Sequence, residues 1–184
     1  MKQHVGVILL AFVIASCTSS LQYSIDYPLT KELFHSRDGV FNGRIPQGWF
    51  CSSEDSLSPA LRAWFIKEDY SASINIQELH LDRLAARRVE KEGLKLLAQL
   101  SLASRQDSAT KTFTDSPKEF KIRGKEFCSY EVKGNGNRTR VVVFPAKGKF
   151  YECVAMALKG TSLSQEIARL FSTQQSLLSS LTIH

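Results

Sequence analysis

The chain has no apolar run long enough to cross a membrane as a helix. Its long apolar run, Val5 to Ile14, is about ten residues, and a bilayer core takes about twenty. Motifs for chemistry are equally scarce. Four histidines are scattered through 184 residues with no H-x-x-x-H spacing and no cysteine–histidine cluster, which excludes the familiar local metal motifs. None of the many serines sits in a G-x-S-x-G elbow, the strained turn that exposes a hydrolase nucleophile. Gly134 and Gly136 fall in a hairpin turn, not ahead of a helix, so they form no phosphate cradle. The four cysteines match neither zinc nor thioredoxin spacing. There is no low-complexity tract, and the apolar and aromatic content is that of a globular protein. No cofactor and no metal site follows from these residues.

What is present begins at the N-terminus. Lys2 precedes the apolar run, and small residues then lead to Cys17. This is the layout of a secretory leader, and Ile14-Ala15-Ser16-Cys17 resembles a bacterial lipobox. Residues 1–16 are therefore expected to be removed, leaving Cys17 to carry lipid. Each buried methylene contributes about 0.8 kcal/mol, so two or more acyl chains anchor stably. The alternative is an ordinary secretory leader cut elsewhere, with Cys17 incidental. Thr18 stands where aspartate would signal inner-membrane retention, which points to the outer membrane, facing the periplasm. Residues 17–33 are expected to form a polar tether and residues 34–184 one globular domain. The formal charge of +6 loses only Lys2 with the leader. That mild excess suits contact with anionic lipid or an acidic protein, or simply a solvated lysine-rich surface. Export takes the chain away from nucleic acid.

Three cysteines remain after Cys17: Cys51, Cys128 and Cys153. An odd count leaves at least one thiol unpaired, although an exported compartment permits disulfides. Buried small-hydrophobe cysteines are the alternative to a bridge. The turns below set Cys128 opposite Val142 and Cys153 opposite about Arg140, one strand further on. Strands two apart lie nearly 10 Å apart, beyond the reach of a disulfide. Cys51 with either of the others is the better pairing, if one forms.

Hydrophobic periodicity supplies the elements. A turn at Asp38-Gly39 joins strands ending at Phe34-His35 and starting at Phe41; Pro46-Gln47-Gly48 turns again into Trp49-Phe50. Leu61 to Lys67 and Ser71 to Leu79 alternate as half-buried strands. Asp82 is a candidate N-cap for one helix with an apolar face of Leu81, Leu84, Ala85, Val89, Leu96, Leu97 and Leu100. Gly93 weakens that helix by up to about 1 kcal/mol, and close packing on the sheet is one reason to tolerate it. After a polar loop, strands recur at residues 120–122, 124–132, 138–144 and 149–158. A last helix opens with a capping box at Ser162 or Ser164 and carries the stripe Leu163, Ile167, Leu170, Phe171, Gln174, Leu178 and Leu181. Strands, helix, strands, helix with short connections make an α+β domain.

The segment Phe41-Asn42-Gly43-Arg44-Ile45-Pro46-Gln47-Gly48-Trp49 resembles the opening of the Mog1/PsbP-like superfamily, and the later elements follow that family's order over roughly residues 33–183. The resemblance implies an α/β/α sandwich with a central antiparallel sheet, Trp49 packed under it, and a non-enzymatic, partner-binding habit. It carries over no functional residue.

Candidate site residues come in two sets. His35 near Asp38 and His80 near Asp82 would be base-and-orienter pairs of a small envelope hydrolase, or mere surface histidines; His184, the last residue, is expected to be disordered. The other set is a docking face: aromatics including Trp64 and Tyr70, rimmed by Arg138, Arg140, Lys147 and Lys149. The alternative puts the aromatics in the core and the cations in solvent. A non-catalytic binding or assembly factor with an envelope protein partner is the leading expectation. A hydrolase and a purely structural lipoprotein are the others.

Overall fold

The computed structural model describes residues 23–52, 58–105, 113–134, 137–158 and 164–184. The leader, Cys17, the start of the tether and the capping-box serine Ser162 lie outside these residues. In chain order the elements are β1 (Leu29–His35), β2 (Phe41–Pro46), β3 (Trp49–Ser52), β4 (Leu61–Lys67), β5 (Ala72–Leu79), α1 (Arg83–Glu92), α2 (Leu94–Ala103), β6 (Phe113–Thr114), β7 (Lys118–Ile122), β8 (Lys125–Gly134), β9 (Asn137–Ala146), β10 (Lys149–Ala157), α3 (Ser164–Ser180) and β11 (Thr182–Ile183). An eight-stranded antiparallel sheet runs β3-β4-β5-β10-β9-β8-β6, with β7 also paired to β8; a small sheet runs β1-β2-β11.

Each face of the large sheet has its own core. On one face α3 packs between β10 and β2, and Phe65, Ile74, Ile76, Val142, Phe144, Tyr151 and Cys153 meet Phe171, Leu177 and Leu178 with Phe34 and Phe41 of the small sheet. On the other face Val89, Leu94, Leu97 and Ala98 of α1 and α2 cover Cys128, Tyr130, Val141, Val143 and Val154. The result is the expected α+β sandwich with a central antiparallel sheet, and the small sheet thickens one helical layer. β2 and the end of α3 touch closely. A Cβ at Gly43 would lie 2.7 Å from the Phe34 ring and 3.0 Å from Ser180 Oγ, so only glycine fits there.

Several expectations change. Residues 29–33, assigned to the tether, already belong to β1; that the tether's later part packs, with Tyr23 and Tyr27 on the core, is what its tyrosines suggest. The single helix after Asp82 is two helices. Asp82 caps the first through Ala85 N at 2.8 Å, but Gly93 takes φ 88°, ψ −174° and breaks the chain's helical path. A Cβ at Gly93 would meet nothing within 4 Å; this glycine serves backbone conformation, not close packing. Leu84, placed on the apolar face, is 71% exposed. The C-terminus is held, since β11 pairs with β2 and His184 N donates to Val40 O at 3.0 Å.

The register also shifts. Cys128 faces Val143 and Cys153 faces Val142, because Gly134 pairs with Asn137 and Ala146 with Lys149 across two-residue turns. A one-residue slip reverses the face a side chain occupies. Cys128 thus lies in the helix-covered core of α1 and α2, and Cys153 in the core under α3. Cys51 on β3 is three strands from β10, about 14 Å, so it cannot reach Cys153 either. All three thiols are free.

Candidate binding face

The site grows out of the two turns around β2. Residues 36–40 reverse β1 into β2, and Gln47-Gly48 reverse β2 into β3. Pro46 ends β2, and Trp49 drops into the core at 6% exposure. The chain here passes from the small sheet to the large one. As a consequence β1 is the outer strand of the first sheet and β3 the outer strand of the second. Between these two edges lies a groove of about 460 Å³ lined by residues 32–35 on one wall and 49–52 with Arg62 and Trp64 on the other.

The groove has a mixed lining, with Glu32, His35, Arg37 and Ser52 beside apolar side chains, and large apolar residues stand exposed in it and at its border. Leu33 is 52% and Phe50 37% exposed, and Tyr70 is 60% exposed. Tyr70 sits edge-on to Phe50 at 6.0 Å between ring centres. Phe50 pairs with Ile66 and Ser52 with Trp64, so Phe50 and half-buried Trp64 stand on one face of the β3–β4 ribbon. Four charges beside the groove are paired with one another. Arg62 lies 3.2 Å from Asp38 and 2.6 Å from Glu78, and Lys149 lies 3.1 Å from Glu78 and 3.5 Å from Asp38. Burial raises the Asp38 pKa, but hydrogen bonds from Tyr151, Ser36 and the Val40 amide, with the Arg62 charge, outweigh it and hold the carboxyl below its ordinary value. Cys51 lines the groove as a neutral thiol, its pKa raised by burial.

Of the six residues expected to share one face, Trp64 lines the groove and Tyr70 borders it through its contact with Phe50. The basic rim does not form. Arg140 is 1% exposed. Its guanidinium lies over the Tyr23 and Phe120 rings at 4.8 and 5.4 Å, its Nη1 donates to Gln174 Oε1 at 3.1 Å, and burial pushes its pKa down to about 10. Arg138 is ion-paired with buried Glu131 and lies over the Phe171 ring. Lys149 joins the Asp38–Glu78 cluster. Lys147 alone is an exposed turn residue, and it stands at the far end of β9 from Arg138, about 30 Å along the strand. The aromatics Phe65, Phe144 and Tyr151 belong to the core.

Neither histidine pair forms. His35 lines the groove but its ring makes no hydrogen bond or ion pair among the described residues, while Asp38 accepts from Tyr151 at 2.8 Å. His80 lies 3.7 Å from Glu78, not on Asp82, and is 67% exposed. His184 Nε2 sits 2.8 Å from Asn42 Nδ2. A second polar cluster is inside: Glu152, 2% exposed, accepts from Ser101, Gln77 and Arg105. It ties α2 to the sheet. Sequence reasoning missed Leu33 and Phe50 because edge position is a property of topology. Phe50 reads as half of a core aromatic pair with Trp49.

No family model matches the chain, and no curated protein matches it by sequence. Among solved structures, it is similar to the cyanobacterial PsbP (CyanoP) of Synechocystis sp. PCC 6803, with a TM-score of 0.53 and 11% identity over 83% of this chain and 92% of that one. Weaker likenesses are the Ran-binding protein Mog1p of Saccharomyces cerevisiae (TM-score 0.47, 11% identity, 85% and 96% of the two chains) and LpqN of Mycobacterium tuberculosis, involved in cell envelope biogenesis (TM-score 0.47, 14% identity, 83% and 89%). The first likeness carries the fold. The chain has the Mog1/PsbP-like fold that residues 41–49 resemble. At such identities fold does not bring activity with it.

Proposed function

We propose that this protein is a lipid-anchored envelope protein that binds without catalysis, receiving an extended segment of an envelope protein partner in the groove between β1 and β3. The observation that carries the reading is the groove's position between two sheet edges, each lacking a further strand among the described residues. An edge strand presents a row of unpaired backbone donors and acceptors. An added strand satisfies them, and side-chain pockets beside it give specificity. Leu33, Phe50 and Tyr70 supply an apolar patch of the kind that marks protein contacts. The anchor rests on Lys2, the apolar run and Ile14-Ala15-Ser16-Cys17, and no helix among the described residues is long and apolar enough to cross a membrane. Thr18 supports the outer membrane, with the domain in the periplasm.

The test is crosslinked purification from the native envelope of three forms: wild type, Cys17→Ala, and Leu33→Asp with Phe50→Asp, whose sites are surface-exposed. A stoichiometric partner retained by wild type and lost by the double variant is expected. That partner should also slow amide exchange in β1 and β3. Equal capture by the double variant rules out the groove, and unchanged membrane fractionation of Cys17→Ala rules out the anchor.

A further inference from the structure

A second cavity, of about 180 Å³, lies under the N-terminal half of α3, where Ile167 and Leu170 face Ala72 of β5 and Ala157 of β10. Trp49 borders it. Most polar groups around it are engaged. The Tyr27 hydroxyl donates to Gln47 O at 3.0 Å, Thr173 Oγ1 to Arg169 O at 2.8 Å, and Lys67 Nζ to Asp69 Oδ2 at 2.7 Å. Trp49 is the exception. Its ring is 6% exposed, and its Nε1–H is buried with no acceptor. It is the one buried donor among the lining residues left in that state, and an unmade buried hydrogen bond is a cost the fold bears.

We infer that this cavity binds a small molecule with a ring-sized or branched apolar body and one hydrogen-bond-accepting oxygen, which meets the Trp49 N–H. The size fits, since an engineered cavity of about 150 Å³ holds benzene. The walls Ala72, Ala157, Ile167 and Leu170 suit the apolar body. At the mouth the exposed Arg169 lies over the Tyr27 ring at 5.6 Å, with Lys67, Asp69 and Glu166 beside it, so the mouth carries both signs and the preference for an oxygen rests on the Trp49 N–H. Trp49 is the one lining residue this cavity shares with the groove, so Ala157→Phe, which lies outside the groove lining, separates the two sites.

The chain offers two indole N–H signals, Trp49 and Trp64, so ¹⁵N-labelled protein reads the site directly, with Trp64→Phe assigning the pair. The probes are acetophenone and ethylbenzene, matched in shape but differing in the acceptor oxygen. Acetophenone is expected to shift the Trp49 indole signal saturably and to bind about tenfold more tightly than ethylbenzene, the effect of one buried hydrogen bond. Trp49→Phe should remove that preference. Ala157→Phe, which fills the cavity from a half-buried position, should abolish both. No saturable shift, a shift at Trp64 alone, or equal affinity for both probes overturns the proposal. Should Trp49→Phe fail to fold, the probe comparison and Ala157→Phe still decide it.

Discussion

Arg140 shows how far a single side chain can depart from its type. Arginine on a strand between Thr139 and Val141 reads as a surface cation, and alternation alone cannot say otherwise. In the fold it is sealed between Tyr23, Phe120 and α3, where two aromatic faces and a glutamine carbonyl replace its water. Gln174, which interrupts the apolar stripe of α3, returns the contact, its Nε2 donating to Arg140 O at 3.2 Å and Cys153 O at 2.8 Å. Arg140→Ala leaves a void and strips Gln174 of its donor, so it should destabilise the domain by about 3 kcal/mol or more. Arg140→Lys should recover only part, since an ammonium cannot lie flat between two rings. Urea denaturation of the three forms checks this; a near-neutral Arg140→Ala would place the guanidinium in solvent. The two interrupted patterns, Arg140 in a strand and Gln174 in a helix, are visible in the sequence. Their pairing is not, because it joins residues of β9 and α3 across the core.

At the scale of elements, periodicity located β4, β5, β7 to β10 and the helical segments closely, missed the two-residue β6 and β11, and failed where backbone conformation or partner choice decided. Leu81 to Leu100 keeps helical spacing through Gly93, so nothing in the pattern marks the break; it is a φ that only glycine takes easily. Two short turns set the cysteine register, and the sequence locates them to within a residue or so, which is the margin that exchanges faces. The clustering of Asp38, Arg62, Glu78 and Lys149 was likewise hidden. It fastens the β1–β2 turn to β4, β5 and β10. Asp38 and Glu78 are both held below their ordinary values, because hydrogen bonds and the cations outweigh burial. A carboxylate depressed in the folded state stabilises fully above its unfolded pKa of about 4 and loses that contribution as pH falls through the folded value. Stability should therefore decline below about pH 4, and Asp38→Asn should flatten that decline while lowering stability at neutral pH. Urea midpoints from neutral to acid pH measure both; an unchanged acid limb in Asp38→Asn would assign the loss to other groups.

For the whole molecule, the order of elements and the family resemblance gave the α+β class, while the split into two sheets and the site made by their edges came only with the fold. A strand's neighbours in space are set by connections and crossovers that local patterning does not encode, and β11 closing onto β2 is the clearest case. The cysteines report on this architecture as a unit. Cys128 and Cys153 are wholly buried on opposite faces of the large sheet, and burial pushes each thiol up to about 12. Cys51 is half-buried at the groove. A thiolate is the reactive form, so at pH 8 a soluble thiol reagent should modify Cys51 slowly and leave the other two untouched. Cys128 and Cys153 should become reactive together, at the rate of global unfolding, since a sheet flanked by two cores opens only as a unit. The experiment uses the Cys17→Ala form to remove the fourth thiol, with peptide mapping to identify the sites. A partner segment in the groove should slow Cys51 and leave the buried pair unchanged. Modification of Cys128 well before Cys153 would instead mean that α1 and α2 lift from the sheet on their own, and that the two cores are separate cooperative units.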